Sequence, residues 1–137
     1  DSRYGVSKAF SEALAALYAD KHGIGFLCVR IGNFGTRPID KRRLSIWVSP
    51  SDLTQLVRIG LDHPDLHYEI VYGVSDNRRS WYDNANAVRL GYRPRDDSEP
   101  YAAAVLAAEP AGADPIAEQY QGGTFCAAEY SAETPRE

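Results

Sequence analysis

Six consecutive residues, Phe26-Leu27-Cys28-Val29-Arg30-Ile31, constrain this chain more than any other stretch. The run is too short for a helix and lacks the apolar–polar alternation of a half-exposed strand. That is the pattern of a strand buried on both faces of a parallel sheet. Ahead of it, Val6, Phe10, Ala13, Leu14, Leu17 and Tyr18 recur at spacings of three and four. They predict a helix from about Val6 to His22, stopped by Gly23 and Gly25. A helix feeding directly into such a strand is half of a β-α-β unit, which points to an α/β fold with parallel strands.

Downstream, residues 32 to 48 read as a long irregular stretch with two glycines, one proline and a basic cluster. A segment of that length inside a compact domain is more often functional than idle. Ser49-Pro50-Ser51-Asp52 opens a second helix. Ser49 caps it, Pro50 suits its first turn and Asp52 complements the positive end of its dipole. Leu53, Leu56, Val57 and Leu61 form its apolar face, and His63-Pro64 ends it. Tyr68 to Gly73 reads as another strand. Ser80 is placed as the cap of a short third helix carrying Trp81, Ala85, Val88 and Leu90, with Trp81 in the core and Gly91 as a left-handed stop. After Val105 the chain is rich in Ala, Gly, Pro and Glu, with one basic residue, Arg136. Residues 1–105 are therefore expected to form the α/β domain and 106–137 an extended C-terminal tail in which Cys126 is exposed.

At 137 residues there is room for one domain with a real core. No apolar run approaches the roughly 20 residues of a membrane span, so no membrane partner is expected. Nineteen acidic residues outweigh fifteen basic ones, which argues against nucleic acid held by the overall field. Two distant cysteines, Cys28 and Cys126, suit reduced thiols in a cytoplasm. His63 and His67 lie four apart, but Pro64 between them argues against one helical face, so no metal site is expected. The chain has no methionine and begins at Asp1, which leads us to expect residues missing in front.

Tyr4-Gly5-Val6-Ser7-Lys8 puts a phenol and an ammonium on one helix face, a turn apart. A phenol of ordinary pKa is a poor base at neutral pH, and a nearby positive charge favours the phenolate, making Tyr4 usable as a general base. Chance alone gives roughly 0.2 such pairs in this composition, so the pair is also readable as a plain surface contact. The strand that follows ends in Arg30-Ile31-Gly32-Asn33-Phe34-Gly35-Thr36-Arg37-Pro38, where ligands of open α/β sheets bind.

Together these motifs resemble the extended short-chain dehydrogenase/reductases, the epimerase/dehydratase group. More narrowly, the chain resembles the C-terminal half of a uronate dehydrogenase. The narrower likeness runs through the Asp40 to Trp47 stretch, Val71-Tyr72-Gly73, Ser80-Trp81 and Tyr120-Gln121-Gly122-Gly123. The resemblance implies the C-terminal portion of a Rossmann-like doubly wound sheet, with the glycine-rich N-terminal half missing. It implies NAD as cofactor and oxidation of a small-molecule sugar acid, glucuronate or galacturonate, at C1 to the aldarolactone. Tyr4 would be the catalytic base, and Lys8 its partner and ribose ligand. Phe34 would meet the nicotinamide, Asn33 the substrate, and Arg42 the sugar-acid carboxylate. A planar guanidinium suits a carboxylate, as Arg42 would require, although Arg43 next to it offers the same chemistry. The resemblance is compatible with a homo-oligomer.

Two features depart from that pattern. Asn33 is the commoner choice in sugar-nucleotide epimerases and dehydratases, which keeps such an activity open as an alternative. The glycine-rich phosphate loop, the acidic ribose-binding residue and the catalytic serine or threonine have no counterpart here. The fragment alone is therefore expected to be inactive, and a non-catalytic interaction module is the second alternative.

Overall fold

The computed structural model describes residues 2–108 and 114–128. Helix α1 (Arg3–His22) leads into strand β1 (Phe26–Ile31), followed by β2 (Asn33–Phe34), α2 (Arg43–Ile46), β3 (Trp47–Val48) and α3 (Pro50–Asp62). Then come β4 (Tyr68–Gly73), α4 (Ala85–Arg89), a 3-10 turn (Glu99–Tyr101), α5 (Ala102–Ala107), α6 (Pro115–Gln119) and α7 (Thr124–Ala127). The chain divides into two compact units. One holds the described residues of Asp1–Leu14 and Pro110–Glu137, the other those of Ala15–Glu109. None of the helices described is long and apolar enough to cross a membrane.

The fold is α/β, and both strand pairings are parallel. β1 pairs with β4 in the register Phe26 to Tyr68 through Ile31 to Gly73, and β2 pairs with β3. The stretch from 32 to 48, expected to be irregular, is instead organised into β2, α2 and β3. Past residue 105 the described chain is helical at α6 and α7 rather than extended, and Cys126 is buried, not exposed. Residues 109–113 and 129–137 of the expected tail lie outside the described residues.

Two expectations about burial are corrected. β1 is half-buried along Phe26–Val29 and exposed at Arg30 and Ile31, and among the described residues it pairs with one strand, β4. The stripe of α1 faces outward: Val6 is 69% and Phe10 68% exposed, while the helix buries Ala15 and Ala19. Spacing shows that an apolar face exists, but a two-stranded sheet offers little to cover it.

The core of the larger unit forms where α3 and α4 pack on the sheet. Leu56, Val71, Ala87, Leu90 and Tyr92 are its buried centre, with Leu27, Val29, Leu53 and Ile59 packed against it. Tyr92 is fully buried, and its hydroxyl donates to the Val74 carbonyl at 2.8 Å. Desolvation, then the carboxylates of Asp52, Asp96 and Asp76, push that phenol far above its ordinary range. Ser49 caps α3 as expected, its hydroxyl accepting the Asp52 N–H at 3.1 Å. Gly23 and Gly91 take the positive φ values that end α1 and α4.

Ser80 does not cap a helix. Its hydroxyl accepts the Tyr82 N–H, α4 begins only at Ala85, and Trp81 is 49% exposed rather than core. Asn84 engages the Tyr72 backbone just ahead of α4, and the helix starts after it.

Candidate active site

In the smaller unit the candidate residues lie on the first two turns of α1. Ser2 holds that turn, its hydroxyl accepting the Gly5 N–H at 3.0 Å. Tyr4 and Lys8 follow on one face, as their spacing requires, and both are exposed. The Lys8 Nζ lies over the Tyr4 ring, 5.0 Å from its centroid. The contact is of the cation–π type. The other aromatic contact of Tyr4 was not legible in the sequence. Phe125 of α7 stacks on its ring at 5.1 Å with 16° between the planes. Cys126 of the same helix is buried against Gly122.

In the larger unit a separate group of candidate residues lies beyond the carboxyl end of β1. Gly32 is required there: a Cβ at this position would run into the Ile46 carbonyl. That close approach lets the chain continue into β2, where Asn33 is half-buried and Phe34 is 55% exposed. Trp47 fixes the next turn, its indole N–H donating to the Gly35 carbonyl at 2.8 Å, and its ring meets Tyr101 edge-on at 5.9 Å. β3 is pinned by polar groups in turn. Asn77 donates to the Trp47 carbonyl at 2.7 Å, and the Ser75 N–H donates to the same oxygen at 2.9 Å. The loop carrying Asn33 and Phe34 thus rests on a rigid floor.

The two arginines that chemistry left undivided are divided by their surroundings. Arg43 is engaged: its N–H donates to Asp40 Oδ1 at 2.8 Å and its guanidinium pairs with the other oxygen of that carboxylate. Arg42 is half-buried, and its Nε is fully shielded from solvent with no hydrogen-bond partner. A buried N–H without an acceptor is costly, so a ligand that supplies one is favoured. The Arg42 charge is felt at Tyr82, whose phenol desolvation pushes up while the Trp81 hydrogen bond and Arg42 pull it down. Tyr82 stacks on Tyr72 at 4.2 Å and lies 5.8 Å from Trp81. No local sequence signal announces this aromatic cluster, since Tyr72 and Tyr82 lie on either side of the β4–α4 connection.

The weaker candidates are absorbed structurally. His67 Nε2 lies 3.0 Å from Asp20, and His63 Nδ1 accepts the Asp65 N–H. Gly32 to Gly35 leads into β2 rather than a helix, so it is no strand–turn–helix phosphate cradle.

Comparison with known proteins follows the same lines. No protein-family profile matches the chain. A uronate dehydrogenase of Pseudomonas putida is 45% identical over 128 residues, which is 93% of this chain and 48% of that protein. The crystal structure of a tyrosine-to-alanine mutant of the Agrobacterium tumefaciens uronate dehydrogenase, complexed with NAD, superposes with a TM-score of 0.86 at 36% identity. It covers 93% of this chain and 48% of its own. An NAD-dependent glucose-6-phosphate dehydrogenase of Haloferax volcanii is 45% identical over 100 residues, 69% of this chain and 37% of that protein. The chain spans about half the length of the uronate dehydrogenases it matches. Both strand pairs and the helices around them fall within the Rossmann-like fold of those enzymes. In sequence and in fold the chain is a homologue of the uronate dehydrogenases, corresponding to the C-terminal half of their length.

Proposed function

We propose that this chain supplies the substrate-handling half of an NAD-dependent uronate dehydrogenase, with residues 1–105 as the C-terminal part of its NAD-binding domain. The observation that carries the reading is the buried, unpartnered Nε of Arg42 beside an arginine already satisfied by Asp40. A sugar-acid carboxylate would complete it with a charge-assisted bond. Tyr4 takes the proton of the C1 hydroxyl. The Lys8 ammonium lies over the Tyr4 ring and offers donors to ribose hydroxyls. Asn33 orients the sugar, Phe34 provides an apolar surface for the nicotinamide, and Arg42 holds the far end, so that its contribution is orientation and substrate choice.

In one unit the exposed Tyr4–Lys8 face suits a ribose, and in the other the exposed Phe34 ring suits an apolar nicotinamide face. When bound, NAD supplies the hydride acceptor. The relatives support the reaction class: the Pseudomonas protein is named for a uronate and the Haloferax one for another sugar with an anionic end.

The test is a chimera in which this chain replaces the matching half of the Pseudomonas putida enzyme. It should form NADH from glucuronate or galacturonate and little from glucose 6-phosphate. Turnover of a UDP-sugar with no NADH from either acid would replace this reading with an epimerase or dehydratase, the alternative that Asn33 favours.

A further inference from the structure

Arg42 owes its place to its backbone, because its Nε has no hydrogen-bond partner to hold it. Its carbonyl accepts the Ser45 N–H at 3.1 Å, so the residue moves with α2. α2 is four residues long, far below the roughly 12–15 residues at which a helix begins to hold itself in water. Groups outside the helix must therefore fix it.

At its start Asp40 does so, by accepting the Arg43 N–H. At its end two polar side chains from distant parts of the chain take over. The Ser98 hydroxyl donates to the Leu44 carbonyl at 2.5 Å, and the Asn77 amide donates to the Trp47 carbonyl at 2.7 Å. The two are joined, since Asn77 Oδ1 accepts the Ser98 N–H at 3.2 Å. Both residues are buried, Ser98 completely. The turns that carry them are also pinned to each other. Arg78 pairs with Asp97 at 2.9 Å, and Arg79 holds Glu99 through two bonds of 2.8 and 3.0 Å. Buried polar side chains find partners wherever they fall in a core. Here the donors of both go to one short segment, residues 44 to 47, directly behind Arg42.

We propose that Asn77 and Ser98 are positioning residues for sugar-acid recognition. Through Leu44 and Trp47 they hold Arg42 where its shielded N–H meets the substrate carboxylate. The proposal rests on the reading of Arg42 as the carboxylate ligand. Side chains that hold a binding group in this way act on substrate binding more than on the chemical step.

The first test uses the 137-residue chain and needs no turnover. The Arg42 Nε–H should exchange with water about tenfold or more slowly than the Nε–H of the exposed Arg58, read by nitrogen-15 NMR. Ser98→Ala removes one hydroxyl and should erase most of that difference. Asn77→Asp keeps the acceptor for the Ser98 N–H, removes the donor to Trp47, and should do the same. The β1 amides paired with β4 should stay protected in both variants. If Asn77→Asp does not fold, Ser98→Ala decides alone. A wild-type Arg42 Nε–H as fast as that of Arg58, exchange unchanged by Ser98→Ala, or an equal loss at the β1 amides would overturn the proposal. The second test is kinetic. In the chimera Ser98→Ala should raise KM for the uronate by about three- to tenfold, with a smaller effect on kcat. It should add nothing further once Arg42 is replaced by Ala. Losses that add in that background would mean that Ser98 acts elsewhere. A chimera that oxidises neither acid would remove the carboxylate role of Arg42, while the exchange result would still decide whether Asn77 and Ser98 hold it.

Discussion

At the scale of single residues, the decisive contrast is between two adjacent arginines of the same chemistry. Asp40 neutralises Arg43, whereas Arg42 keeps a shielded N–H in reserve. In the chimera, Arg42→Ala should lower kcat/KM for a uronate by about ten- to hundredfold, the worth of hydrogen bonds to a charged group. Arg43→Ala should cost much less in kcat/KM and register in thermal stability, and equal losses from both would remove the distinction. Tyr4→Phe should lower kcat by about 10²–10⁴ while leaving Tm nearly unchanged, because it deletes a proton acceptor and keeps the ring that stacks on Phe125. Tyr4 and Lys8 were legible because both are four residues apart on one helix. Arg42 and Arg43 were legible as chemistry, but their roles depend on Asp40 and on Tyr82. Phe125 was not legible at all, since a ring contact across so many residues leaves no periodic trace.

At the scale of elements, α3 was read almost completely, as its start is written locally in Ser49, Pro50 and Asp52. Its chief side chain does more than complement a dipole. Asp52 is fully buried, and its carboxylate accepts the Arg95 N–H at 3.0 Å, the Asp96 N–H at 3.1 Å and Gln55 at 3.1 Å. Asp52→Ala leaves those part-buried donors without their acceptor and should cost about 1–3 kcal/mol in urea unfolding, with Asp52→Asn recovering part of it. The next residue in that bracket responds to acid. Hydrogen bonds from Ser49 and Ser51 hold the Asp96 carboxyl below its ordinary 3.8. A folded-state value below the unfolded one means stability that is fully present above 3.8 and is lost as pH falls toward the lowered value. Thermal unfolding followed from neutral to acid pH should show that loss, and Ser51→Ala should make it shallower. α1 and Trp81 were misjudged for a common reason. Amphipathic spacing and aromatic character mark what is able to be buried, and whether it is buried depends on what packs there.

For the molecule as a whole, parallel pairing and the α/β class were legible from one helix and one short apolar run, but the width of the sheet was not. β1 resembled a central strand and has a neighbour on one side. Its residues carry the composition of the interior they would occupy in a wider sheet. Because the chain spans about half the length of the uronate dehydrogenases it matches, the 137-residue chain alone should show no NAD binding by calorimetry at concentrations where the chimera is saturated. Heat of binding equal to that of the chimera would contradict this. The amide side chains of Asn84 and Asn86 carry a further consequence for crowded solutions. Asn84 engages the Tyr72 N–H and carbonyl and Asn86 the Ile70 carbonyl, so a strand approaching β4 must first displace them. Strand addition at β4 should therefore be slow. Asn84→Ala with Asn86→Ala should speed aggregation through that edge, read by light scattering.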